Sequence, residues 1–325
     1  MPIRTSTWHM ESALLGPSSD LPPLRIDRHL ADEVPVDAGV PEALRTHLNY
    51  GCASPILPYT LQDDYTRERR RCGHPSIVLE SEILEATFLP GLGGRLWSLR
   101  HKPSGRELLR TNSVFQPGNL STRNAWFSGG VEWNAGIRGH SPLTCSPVFA
   151  QRDERPDGTP VLRMFEFERV RRVPWVIECS LPAGSPFLFV QVHLFNPHRD
   201  TIPMYWWSNI AVPEAPGHRV LVPADHCLSY AYADCLKHGP FPDHGGTDAS
   251  YPTNLDLPSD FFFDIPAGRR RWVTSLDPAG SGLVQCSTGR QQGRKMFNWG
   301  MGPGGRRWQR HLSDRDAPYV EIQAG

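Results

Sequence analysis

Residues 161–195 contain three runs, VLRMFEFERV (161–170), PWVIECSL (174–181) and PFLFVQVHLF (186–195), set apart by turn residues. In the third, Leu188, Val190, Val192 and Leu194 alternate with Phe187, Phe189, Gln191 and His193. A period of two is that of a strand, and this pattern predicts a sheet buried on one side and partly polar on the other. Outward from these runs, 32 prolines and 29 glycines punctuate the chain so often that long helices have little room. Residues 77–89 read as two further strands, ending in Pro90-Gly91-Leu92-Gly93-Gly94, and RLWSLRHKPSGREL (95–108) as a strand, a turn and a returning strand. Many short strands without regular helices predict an all-β sandwich or barrel over residues 49–325. Residues 1–48 read as an irregular arm with one short helix near Pro41–Leu48.

The bulk properties exclude several classes of function. Lys+Arg and Asp+Glu number 34 each, so no general field draws in nucleic acid or an anionic membrane. The basic runs at 67–71, 269–271 and 306–307 accompany no nucleic-acid module and read as solvated turns or strand ends. No apolar run is long enough to span a bilayer. The seven cysteines form no C-x-x-C pair, which leaves reduced, mostly buried thiols and a cytoplasmic setting as the expectation. The glycine cluster at 91–94 matches neither phosphate-binding loop pattern, and His218, His226, His238 and His244 follow no metal-ligand spacing, so no metal or cofactor is expected.

Two stretches carry the chemistry. WFSGGVEWNAGIRGHSPLTC (126–145) sets Trp126, Phe127 and Trp133 beside Glu132, Asn134, Arg138 and His140, around Gly129-Gly130. Flat rings suit the C–H-rich faces of sugars and the polar groups suit hydroxyls; the structural alternative is a tight glycine turn with buried rings and a salt-bridged Glu132. In PMYWWSN (203–209), alternation sends Tyr205, Trp207 and Asn209 to one face and Trp206 to the other, where it is more suited to filling a core.

With these motifs in place, the sequence resembles the galactose mutarotase-like superfamily, and more closely an uncharacterised bacterial family within it whose members often carry tetratricopeptide repeats after the sandwich. LPGLGGRLWSL (89–99), NAWFSGGVEWN (124–134), PMYWWSNIAVPE (203–214), WGMGPGGRRWQRHL (299–312) and YVEIQAG (319–325) carry the resemblance. It implies a large antiparallel β-supersandwich with a carbohydrate ligand on its concave face. It also implies a longer full-length protein, since the chain stops directly after EIQAG.

In aldose 1-epimerases a glutamate of a Leu-Glu-Thr-Gln motif takes the proton of the anomeric hydroxyl. Glu321-Ile322-Gln323 resembles that motif and makes Glu321 the candidate base, with Gln323 beside it. The histidine acid of the same enzymes falls at Asn209, and a second sugar-contacting histidine falls near Ser128-Gly129-Gly130. An amide does not titrate near neutrality, so Glu132 or His140 is the candidate acid, with Glu132 and Glu321 forming a carboxylate pair as in glycosidases. Arg95, Trp126, Trp133, Asn134, Trp207, Asn209 and Asp260 are the candidate substrate contacts. A non-catalytic sugar-binding module and a partner scaffold are the competing readings.

Overall fold

The structure, a computed structural model, describes residues 3–21, 34–46, 48–53, 55–231, 234–314 and 318–325. The chain divides into two compact units, Met1–Ala31 with Gly51–Trp206 and Asp32–Tyr50 with Trp207–Gly325. This division falls inside the stretch that the sequence predicts as one domain.

The first unit holds β1 (Ile3–Leu15), β2 (Tyr65–Glu80), β3 (Leu84–Leu89), β4 (Arg95–His101), β5 (Arg106–Glu107), β6 (Val114–Phe115), β7 (Val131–Gly136), β8 (Phe149–Glu154), β9 (Pro160–Glu168), β10 (Val173–Ser180) and β11 (Phe189–Leu194). One sheet runs β7-β4-β3-β2-β1-β6, with β5 on β4, and a second runs β11-β10-β9-β8. Pairing is antiparallel except between β1 and β6. Met10, Leu89, Leu92, Trp97, Phe115, Ala125, Phe127 and Cys145 close into one apolar cluster.

The three runs that open the sequence reading become β9, β10 and β11. On β10, Val173, Trp175, Ile177 and Cys179 are buried and alternate with half-buried Pro174, Val176 and Glu178, as a period of two requires. On the outer face, Arg163 bridges Glu178 at 2.7 Å and Asp153 at 2.6 Å across three strands. The expectation for the third run needs correction. β11 is an edge strand, and Val190 and Leu194 on its apolar side are exposed, as is Phe189 on the other.

The arm also needs correction. Ile3–Leu15 is a thirteen-residue strand whose register with β2 runs from Ile3↔Leu79 to Leu15↔Tyr65, with a shift near Ala13. Arg4, Thr5, Ser6 and Thr7 are exposed, so the sequence looks irregular although the strand pairs with β2 along most of its length. The expected short helix is present as Glu42–Arg45.

Gly129 and Gly130 connect to β7 with φ of 103° and 67°. A Cβ on Gly130 would lie 2.4 Å from the Leu96 carbonyl oxygen and 3.1 Å from the Trp97 Cα, both backbone atoms of β4. Gly130→Ala is therefore expected to lower the stability of the unit by about 2 kcal/mol, as a left-handed residue pressed against a neighbouring strand. Urea unfolding monitored by tryptophan fluorescence measures it, and an unchanged midpoint would contradict the close approach.

The second unit holds β12 (Tyr205–Pro213, entering it at Trp207), β13 (Arg219–Leu221), β14 (His226–Tyr230), β15 (Lys237–Pro240), β16 (Asp243–His244), β17 (Thr247–Asp248), β18 (Ser259–Asp264), β19 (Trp272–Leu276), β20 (Gly282–Cys286), β21 (Arg294–Asn298) and β22 (Tyr319–Ala324). Its main sheet runs β15-β14-β18-β21-β22-β12; β13-β19-β20 and β16-β17 are separate. Every residue of β22 is buried, on both faces. Ile322 and Ala324 on one side are fully covered alongside Met296, while the other side carries Glu321 and Gln323. Among the described residues no helix is long and apolar enough to cross a membrane.

Candidate functional site

In the first unit, Trp126 and His140 from the 126–145 stretch converge on one carboxylate, Glu132 of β7. Glu132 is 2% exposed. Its Oε2 accepts a hydrogen bond from Trp126 Nε1 at 3.0 Å and lies 2.8 Å from His140 Nδ1, while its Oε1 is 3.9 Å from Arg95 Nη2. Arg95 is itself buried, donates to the Gly129 carbonyl and the Thr144 hydroxyl at 2.8 Å each, and lies over the Phe127 ring at 3.8 Å. Burial alone would raise the Glu132 pKa. The charges of His140 and Arg95 and the Trp126 N–H outweigh it and hold the carboxyl at about 2.

Glu132 is thus an anion at neutral pH, which corrects its reading as a protonated acid. His140, with 24% of its side chain exposed, is the member of the pair that reaches solvent. The other candidates of this stretch are tied up internally. Trp126 packs on the His140 ring at 5.1 Å. Trp133 donates to the Gly94 carbonyl at 2.9 Å and stacks on Trp206 at 6.5 Å, so both indoles are core rings rather than open platforms. Asn134 Oδ1 accepts from the Ser141 N–H at 2.6 Å and fixes the turn. Trp206 also meets Trp175 at 6.4 Å, in the space-filling role that alternation suits it to.

In the second unit, the remaining candidates share one face of one sheet. Residues opposite one another in antiparallel strands present side chains to the same side. One row across the sheet reads Ala211, Glu321, Phe297, Asp260, Tyr230, and the next reads Asn209, Gln323, Lys295, Phe262. Trp207 lies two residues before Asn209 on β12, hence on the same side. Gln323 Nε2 donates to Glu321 Oε2 at 3.2 Å. Lys295 Nζ is 2.7 Å from Asp260 Oδ1, 5.7 Å from the centre of the Trp207 ring and 5.0 Å from that of Phe262. Asn209 is 4% exposed, and its Oδ1 has no hydrogen-bond partner among the described residues.

The unsatisfied Asn209 acceptor thus lies on the same face of the sheet as the Glu321 carboxylate, the Lys295 ammonium and the Trp207 indole. Glu132 belongs to the first unit and Glu321 to the second. No group of three His, Cys, Asp or Glu side chains among the described residues is arranged to hold a metal ion.

A family described as "Domain of unknown function (DUF5107)" matches residues 52–325, most of the chain. The chain belongs to this family. Among solved structures, the DUF5107 chain is similar to a TPR-domain containing protein from Parabacteroides distasonis, at 24% identity and a TM-score of 0.80, over 100% of this chain and 50% of that one. It thus spans half the length of that relative. It is also similar to a galactose mutarotase-like protein from Clostridium acetobutylicum (12% identity, TM-score 0.55, 77% of this chain and 84% of that one). A third likeness is to a proposed aldose 1-epimerase from Escherichia coli K12 (14% identity, TM-score 0.50, 76% and 86%). The fold is that of the galactose mutarotase-like β-sandwiches, with strands in large sheets and little helix.

Lys295 is the residue of the DUF5107 polar row that sequence reasoning missed. The signal lies in RKMFN (294–298), where Met296 faces the core with Arg294 and Asn298, leaving Lys295 and Phe297 on the opposite side. A lysine in mid-strand, flanked by core-facing positions, needs a partner on its own face, and here that partner is Asp260.

Proposed function

We propose that this chain binds an aldose on the polar face of β12, β22, β21 and β18 and interconverts its anomers, with Glu321 as the base. The observation that carries the reading is the composition of that face: Asn209, Asp260, Glu321 and Gln323 in two adjoining rows, Trp207 next along β12 on the same side, and the buried Asn209 Oδ1 unsatisfied. The Trp207 ring packs against the sugar's C–H face, and Asn209 Oδ1 accepts from one of its hydroxyls.

Glu321 takes the proton of the anomeric hydroxyl as the bond between the anomeric carbon and the ring oxygen breaks. The electron pair stays on the ring oxygen, where the Lys295 ammonium donates a proton or a charge-assisted hydrogen bond. Closure on the other face of the carbonyl reverses both transfers, so the protein regains its starting protonation. Gln323 fixes the Glu321 carboxylate through its amide. Anomer exchange is favoured over glycoside cleavage because cleavage needs a second, protonated carboxyl. On this face Asp260 is matched by Lys295, and in the first unit Glu132 is held as an anion. The likeness to a TPR-domain containing protein of twice the span supports a place beside such repeats in the full-length protein.

The test is one-dimensional proton NMR of freshly dissolved single anomers, with calorimetry for affinity. The native chain is expected to speed equilibration of at least one aldose, and Glu321→Gln to slow it by about a hundredfold or more while binding persists. Binding without any acceleration would make the face a recognition surface alone, and absence of both binding and acceleration across a panel of aldoses would refute the proposal.

A further inference from the structure

Strand β11 closes one end of the four-stranded sheet of the first unit. It pairs with β10 from Ser180↔Phe189 to Trp175↔Leu194 without a register shift, and the Phe195 N–H continues the pairing onto the Pro174 carbonyl at 3.0 Å. Its outer edge has no strand against it among the described residues. Proteins that keep such edges solitary place a lysine, a proline or a bulge there. FVQVHL has none of these, and exposed Phe187, Phe189, Val190, Leu194 and Phe195 fall within nine residues of chain.

The order of these residues identifies the occupant. About Val192 the strand reads the same in kind in both directions: Gln191 and His193, then Val190 and Leu194, then Phe189 and Phe195. Two antiparallel copies with Val192 opposite Val192 bring like to like along their whole length. On one face Val190 of each copy meets Leu194 of the other. On the opposite face Phe189 meets Phe195, with Gln191 beside His193. A shift by two positions that sets Phe189 against His193 leaves an aromatic pair only between Phe187 and Phe195, both outside the paired strand, and sets Val190 against Val192 in place of Leu194.

We infer that β11 pairs with β11 of a second copy of this chain, forming a two-fold antiparallel interface centred on Val192. The contact is isologous, using one patch twice, and it joins two four-stranded sheets into a continuous one. Aromatic and β-branched cross-strand pairs are those that stabilise such a ladder.

Sedimentation velocity over a concentration series of the full chain tests it, with circular dichroism to confirm folding. The native chain is expected to show a monomer–dimer equilibrium at micromolar concentration. Phe189→Lys, at an exposed position, weakens the dimer by about tenfold or more, since each interface holds two such contacts. Phe189→Lys combined with Phe195→Glu restores it, because the proposed register sets the new lysine of one copy against the new glutamate of the other. A chain that stays monomeric at every concentration overturns the inference. So does a dimer indifferent to Phe189→Lys, or a double variant no tighter than the single one.

Discussion

Glu132→Gln is expected to destabilise the folded chain by about 3 kcal/mol at pH 7, and by less than half that at pH 3. Burial opposes the Glu132 charge, but His140, Arg95 and the Trp126 N–H prevail and bring its pKa from the ordinary 4.5 to about 2. A carboxyl with a depressed folded pKa binds its proton less tightly when folded. Its contribution is therefore fully present above 4.5 and is lost as the pH falls through 2. An amide carries no charge for His140 or Arg95 and offers an N–H where Trp126 already donates. Urea unfolding of the native chain and the variant at pH 7 and pH 3 reads both numbers. An equal loss at both pH values would mean that packing, and not the ion cluster, is what the substitution disturbs.

This cluster shows where sequence reading reaches its limit. The residues of 126–145 that attract attention do converge, within eight positions of Glu132, so their proximity is legible. Their burial is not: Trp126 and Trp133 look like open rings until their N–H groups are found satisfied by Glu132 and Gly94 inside the unit. Strands β9 and β10 are legible because alternation is local. β1 is not, because its polar residues pair with a strand some sixty positions later. The same holds for Lys295, whose meaning comes from Gln323 and Asp260, brought beside it only by sheet register. Glu321, Gln323 and Asn209, in contrast, were reached through short motifs, and two of them are directly opposite in β12 and β22.

Glu214→Gln is expected to act in the opposite sense and stabilise the chain at pH 8 by up to about 3 kcal/mol. Glu214 follows β12, where its N–H donates to the Pro318 carbonyl at 3.3 Å, and its side chain is almost fully buried. Burial raises its pKa from 4.5 to about 7; Arg306, at 3.8 Å on the helix Pro303–Leu312, and Gln309 one turn further along pull it down only in part. Arg306 also spends an N–H on the Gln309 Oε1 at 2.6 Å, which divides its attention. A carboxyl with a raised folded pKa favours the folded state most below 4.5, where both states are neutral. Between 4.5 and 7 the unfolded chain releases a proton that the folded chain keeps, so stability falls, and above 7 the penalty is constant. The amide never ionises and escapes it. The native chain and Glu214→Gln should therefore unfold at nearly the same urea concentration at pH 4 and separate progressively up to pH 8, with the variant the more stable. A variant that is less stable at pH 8 would show that the Arg306 contact outweighs desolvation, and that the Glu214 carboxylate holds the helix in place as an anion.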